Sequence, residues 1–97
     1  MTTHIVKSWT HLFQAAKDGV KTHDIRDRTE REYRVGDYLV LKEFDFVRGE
    51  YTGDELLTKI TYITDRDTPC AMSSNGLAQD LCILSIQRLG DDEYAIL

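Results

Sequence analysis

The stretch Gly19-Val20-Lys21-Thr22-His23-Asp24-Ile25-Arg26 joins a helix stop, a strand start and charges of both signs within eight residues. Upstream, Trp9, Leu12, Phe13 and Ala16 fall at i, i+3, i+4 and i+7, the stripe of an amphipathic helix. Gly19 can adopt the positive φ that ends such a helix. The chain then re-emerges extended. A strand beginning at Lys21 sends Ile25 toward the core by alternation and puts Thr22, Asp24 and Arg26 on the other face. A short polar row would then line a cleft.

Working outward, His4 to Ser8 reads as a short extended segment, and Ser8 is a natural N-cap for a helix from about Trp9 to Asp18. Asp27 to Arg34 is a run of charges with no useful period and reads as a loop or single turn. Val35-Gly36-Asp37 is a tight turn that launches Tyr38 to Phe46, YLVLKEFDF, the clearest strand in the chain. Glu55 to Thr64 is its expected partner, with an irregular hairpin loop over Val47 to Asp54. Asp65 to Asn75 holds the only proline, Pro69, and reads as the most mobile internal segment. Leu81 to Ile86 is apolar on both faces, as a central strand is. Gly90-Asp91-Asp92-Glu93 is an acidic turn before a marginal edge strand over Tyr94 to Leu97. Five or six short strands with one helix between the first two predict an α+β fold, a mixed sheet curled toward a small barrel whose end the helix covers.

Ninety-seven residues, 41% of them hydrophobic and 30% charged, suit one soluble domain over 1–97. No run approaches the roughly 18 apolar residues of a membrane span, and the N-terminus lacks the pattern of a signal peptide, so a cytoplasmic protein without a membrane partner is expected. Cys70 and Cys82, separated by eleven residues, suggest neither a disulfide framework nor a zinc knuckle. His4, His11 and His23 do not repeat at metal-ligand spacing, and no phosphate loop or nucleophile elbow is present, so neither a metal nor a cofactor is expected. The net charge of −5 argues against nonspecific coating of nucleic acid. The charge is uneven, however. Residues 1–48 carry nine Lys/Arg against eight Asp/Glu, residues 49–97 three against nine, and six of the twelve basic residues lie between Lys17 and Arg34. A local basic site within an acidic molecule is compatible with this distribution.

Gly19-x-Lys21-x-x-Asp24-x-Arg26 resembles the Gly-x-Lys-x-x-Glu-x-Arg signature of the ASCH superfamily, small domains similar in fold to PUA RNA-binding domains. The likeness continues through His4-x-x-Lys7, Phe13, Tyr33-x-Val35-Gly36-Asp37, the run Leu39 to Glu43, Tyr51-Thr52-Gly53 and Ile60-x-Tyr62-Ile63. That order resembles a branch frequent in bacteria and their phages. It covers about residues 4 to 89 and leaves 90–97 as an acidic tail. Asp24 stands where the superfamily usually has Glu, and Glu30-Arg31 suggests one extra residue after Arg26.

The resemblance implies a domain that binds RNA or a nucleotide, single-stranded or modified, in the cytoplasm of a bacterium or of a phage's host, and a monomer is expected. Its site would use His4, Lys7, Lys21, Thr22, Asp24, Arg26, Tyr33 and Tyr51. The chemistry of these side chains suits such a ligand. Arg26 offers a planar fork for phosphate or a guanine edge, Lys21 a point charge, and Asp24 an acceptor for an amino group that can also hold Arg26 in one rotamer. Tyr33, Tyr51 or Trp9 could supply stacking faces. A plainer alternative is that Asp24 and Arg26 form an ion pair that merely closes a barrel end. An enzyme reading also follows from compact ASCH amidohydrolases that deacylate the exocyclic nitrogen of cytidine with a lysine, a threonine three positions later and a distant glutamate. Lys21 matches that lysine, but Asp24 replaces the threonine, so any catalysis would fall to Lys21 and Asp24. A third alternative is a phage-type module that binds a protein partner through its acidic C-terminal half.

Overall fold

The alternating pattern of the first segment sets the architecture. In a computed structural model, which describes residues 1–71 and 76–90, strand β1 spans Thr3–Trp9 and turns His4, Val6 and Ser8 inward while the residues between them face out. Helix α1 follows at once over Thr10–Lys17 and buries Phe13 and Ala16. Trp9 is the last residue of β1, with extended φ and ψ, and the helix has no side-chain cap. Ser8 is therefore not the N-cap. It lies one residue too early, inside a strand whose inner face needs it.

The helix stop behaves as its glycine requires. Gly19 takes φ +79°, its N–H bonds the Ala16 carbonyl at 3.1 Å, and the Val20 N–H bonds that of Ala15 at 3.0 Å. These are the two bonds of a Schellman motif, which only a left-handed C′ residue permits without strain. The Arg88 guanidinium donates to the Lys17 carbonyl and so tethers the helix end to the last strand.

Strands β2 (His23–Asp27), β3 (Tyr38–Asp45), β4 (Glu50–Asp65) and β5 (Leu81–Arg88) complete one mixed sheet in the order β1-β3-β4-β5-β2. β1 runs parallel to β3, and the other neighbours are antiparallel. The sheet curls into a half-barrel with α1, between the first two strands, against its inner face. Val6, Phe13, Leu39, Leu41, Ile60 and Leu84 are core residues from five of the elements. Thr58 is also buried, its hydroxyl donating to the Leu39 carbonyl at 2.8 Å.

The hairpin between β3 and β4 is tighter than its glycines suggested. Turn residues 46–49 suffice, with Asp45 Oδ1 accepting the N–H groups of Val47 and Arg48. Thr52-Gly53 is not loop but part of β4, where the pairing jumps from Phe44↔Tyr51 to Lys42↔Glu55. Gly53, at φ +95°, accommodates that bulge. The expected edge strand over Tyr94–Leu97 and the acidic turn before it lie outside the described residues from 91 onward. Among the described residues no helix is long and apolar enough to cross a membrane.

Phe13 is the helix's one large fully buried side chain. Phe13→Ala should lower the unfolding free energy by about 3–5 kcal/mol, read from urea melts; a loss within error would show that the helix is not held through this ring.

Candidate functional site

The position of the site follows from a pairing between residues far apart in sequence. β2 is antiparallel to β5 in a register that sets Asp24 opposite Leu84 and Arg26 opposite Cys82. Leu84 and Cys82 face the core, so Asp24 and Arg26 share that inner face and Ile25 points out. The expected parity is thus reversed: Asp24 is 7% exposed and Ile25 52%. The reason is the strand's place at the edge of the half-barrel. Its inner face borders an open gap, and there a carboxylate with two cationic partners is tolerated where an unpaired one would be costly.

Those partners are close. Arg26 Nε donates to Asp24 Oδ2 at 2.7 Å, and Lys21 Nζ donates to Asp24 Oδ1 at 3.2 Å and to the His23 carbonyl. Arg26 Nη2 then reaches across to the Lys7 carbonyl at 2.8 Å, joining the two free edges β1 and β2 where no backbone ladder exists. Arg26 Nη1 meets no protein acceptor among the described residues. A cleft of about 230 Å³ opens beside this bridge, lined by Lys7, Ser8, Trp9, Leu12, Asp24, Ile25 and Arg26.

The structure thus brings Lys21, Asp24 and Arg26 together, with Lys7 contributing its carbonyl. It does not bring Thr22 with them. Thr22 precedes β2, is exposed, and uses its carbonyl to accept the Ile86 N–H at 3.0 Å. His4 also lies elsewhere. It is buried, its Nε2 donates to Asp37 Oδ2 at 2.8 Å, and its ring packs on Tyr33 with centroids 4.7 Å apart. Tyr33 lines a neighbouring hollow with Ile5, Arg26 and Arg31, and burial pushes its phenol up despite the nearby guanidinium groups. Tyr51 is on the outer face of the sheet against Phe44, at 5.0 Å between ring centroids. Three cleft residues escaped the sequence reading, Ser8, Leu12 and Ile25. Ser8 was legible from the alternation His4-Val6-Ser8, and the helix-cap reading concealed it.

Asp37 is the polar tie of this end of the fold. Burial alone would raise its pKa, but hydrogen bonds from His4 and from the Thr2 and Arg34 N–H groups outweigh it and hold the carboxyl below its ordinary 3.8. A depressed folded value means stability that is present above the unfolded pKa and lost as pH falls through the folded one.

A model of the family described as a domain of unknown function, DUF3850, matches residues 3–86, and the chain belongs to that family. No curated protein matches the chain.

Two outcomes follow from these contacts. Asp24→Ala leaves two cations around an empty position and should cost about 1–3 kcal/mol, a fall in Tm of roughly 4–24 °C; an unchanged melting curve would show that the carboxylate organises nothing. Asp37→Asn should destabilise the protein at neutral pH, and the gap from the parent chain should narrow below pH 3.8. A gap that stays constant on acidification would contradict the assigned role of Asp37.

Proposed function

With membership of a family whose description names no activity as the premise, the chain's own side chains carry the reading, and we propose that the cleft binds RNA or a nucleotide. The observation that carries it is the convergence of Lys21, Asp24 and Arg26 beside a cleft that also holds Lys7 and Trp9. Three cations stand there against one carboxylate in a chain of net charge −5. Arg26 has its Nη1 edge uncommitted, and a guanidinium held in one rotamer by a carboxylate is prepared for phosphate or a base edge without further ordering. The ASCH-like motif supports the same reading, since Gly19, Lys21, Asp24 and Arg26 are the residues that terminate the helix and build the cleft.

The amidohydrolase alternative gains less from the geometry. Asp24 occupies the threonine position and is committed to two cations, Lys21 Nζ donates to Asp24 and to the His23 carbonyl, and Thr22 is turned away.

Titration of labelled protein with short single-stranded RNA should shift the amides of residues 21–26, and Arg26→Ala should remove the shifts. Neutralisation by three cations predicts about a twentyfold loss of affinity between about 50 and 200 mM salt. No shift at 21–26, or an affinity indifferent to salt, would overturn the proposal.

A further inference from the structure

The outer face of the sheet, which meets the cleft only at its rim through Lys7, Trp9 and Ile25, carries a row of rings. Trp9 lies opposite Phe44 across the β1–β3 pairing, and Phe44 opposite Tyr51 across β3–β4. Centroid distances are 5.7 Å for Trp9–Phe44, 5.0 Å for Phe44–Tyr51, and 5.7 Å for Trp9–Phe46. These rings are not submerged: Trp9 is 40% exposed, Tyr51 49% and Phe46 62%. Beside the row stand Lys7 and Lys42, directly opposite each other in register. Lys7 Nζ lies 4.0 Å from the Phe44 centroid and Lys42 Nζ 5.1 Å from that of Tyr51. Among the described residues neither amine has an acidic partner at ion-pair distance, although Glu55 is the strand partner of Lys42.

Like charges opposed across a sheet are destabilising, and exposed aromatic rings lose hydrophobic gain. Both costs vanish when a ligand supplies flat apolar surfaces and negative charge together. A single-stranded nucleic acid does so, stacking bases on rings while phosphates meet the amines. A second copy of the chain fits less well. Two-fold pairing would press the lysines against lysines, and lysine is depleted at the centres of protein interfaces.

We propose that this face is a stacking platform for a single-stranded nucleic acid, continuous with the cleft through Trp9 and Lys7. It rests on the cleft reading and deepens it: the ligand is a polymer of several nucleotides rather than a mononucleotide.

The chain has one tryptophan, so stacking at Trp9 is read directly from intrinsic fluorescence. An oligouridylate octamer should quench it and bind at least tenfold more tightly than uridine monophosphate. It should also shift the amides of Phe44 to Tyr51. Tyr51→Ala and Phe46→Ala should each weaken octamer binding by about 5- to 150-fold, the effect of losing one stacked base. Lys42→Gln should flatten the slope of log affinity against log salt by about 0.7. Octamer shifts confined to 21–26, with fluorescence and both aromatic variants unaffected, overturn the platform and leave the cleft reading standing. Binding that responds to Tyr51→Ala but not to Arg26→Lys keeps the platform and overturns the cleft. No octamer binding, with self-association in sedimentation that Tyr51→Ala abolishes, makes the face a protein interface and overturns the proposal.

Discussion

The guanidinium of Arg26 spans two strand edges that no other strand joins. Curling the sheet brings β1 and β2 toward each other without bringing them into hydrogen-bonding register, and each edge keeps unpaired backbone groups. Arg26 satisfies one of them, the Lys7 carbonyl, and Asp24 fixes the direction from which it does so. A lysine at this position would supply the charge but not the fork, because Asp24 and the Lys7 carbonyl are met by two separate nitrogens, Nε and Nη2, where a lysine would donate from one. The half-barrel is therefore closed by side chains rather than by a ladder, chiefly by Arg26, with Arg31 Nη1 donating more distantly to the Ile5 carbonyl at 3.5 Å. The cleft opens on one side of this bridge and the hollow lined by Ile5, Arg31 and Tyr33 on the other. Fold closure and candidate ligand site are consequences of the same bridge, which is why the plain structural reading of the Asp24–Arg26 pair and the functional one do not compete. Nε and Nη2 of the guanidinium serve the fold, and Nη1 is the nitrogen that the proposed ligand would engage.

Lys7 connects the two faces of β1. Its carbonyl lies at the free edge and takes the Arg26 bond, while its side chain goes outward over Phe44. Alternation explains the division: backbone groups of a strand lie in the sheet and side chains stand off it. A residue that is unremarkable in composition thus couples the gap to the aromatic row.

What was legible in the sequence was local. Gly19 could be read as a helix stop because the Schellman geometry depends on its own φ and two carbonyls of the same turn. YLVLKEFDF could be read as a strand because aromatic and branched residues favour the pleat wherever it is placed. The parity of β2 was not legible, since it is fixed by β5, about sixty residues later, and Ile25 as the strand's only aliphatic side chain misdirects the inference. Hydrophobicity cannot see that Lys21 and Arg26 compensate Asp24. The pattern also grouped His4 with the site, whereas its bond to Asp37 makes it part of the frame. Gly53 read as a loop residue because a bulge and a turn make the same demand on φ.

The acidity of the whole chain sharpens rather than contradicts a local basic site. With a Debye length of about 8 Å at physiological salt, carboxylates on remote surface are screened from a ligand already in the cleft. At longer range and lower salt they still repel a polyanion from most of the molecule. If the proposed ligand binds, the local excess of Lys7, Lys21, Arg26 and Lys42 over their acidic neighbours would offset that repulsion, and stacking on Trp9 and Tyr51 would add an attraction that salt does not screen. A uniformly basic protein of this size would bind any phosphate backbone along its whole surface. In this chain the cations at the gap between the two strand edges and on the face beside it make position, rather than total charge, the quantity on which the proposed binding depends.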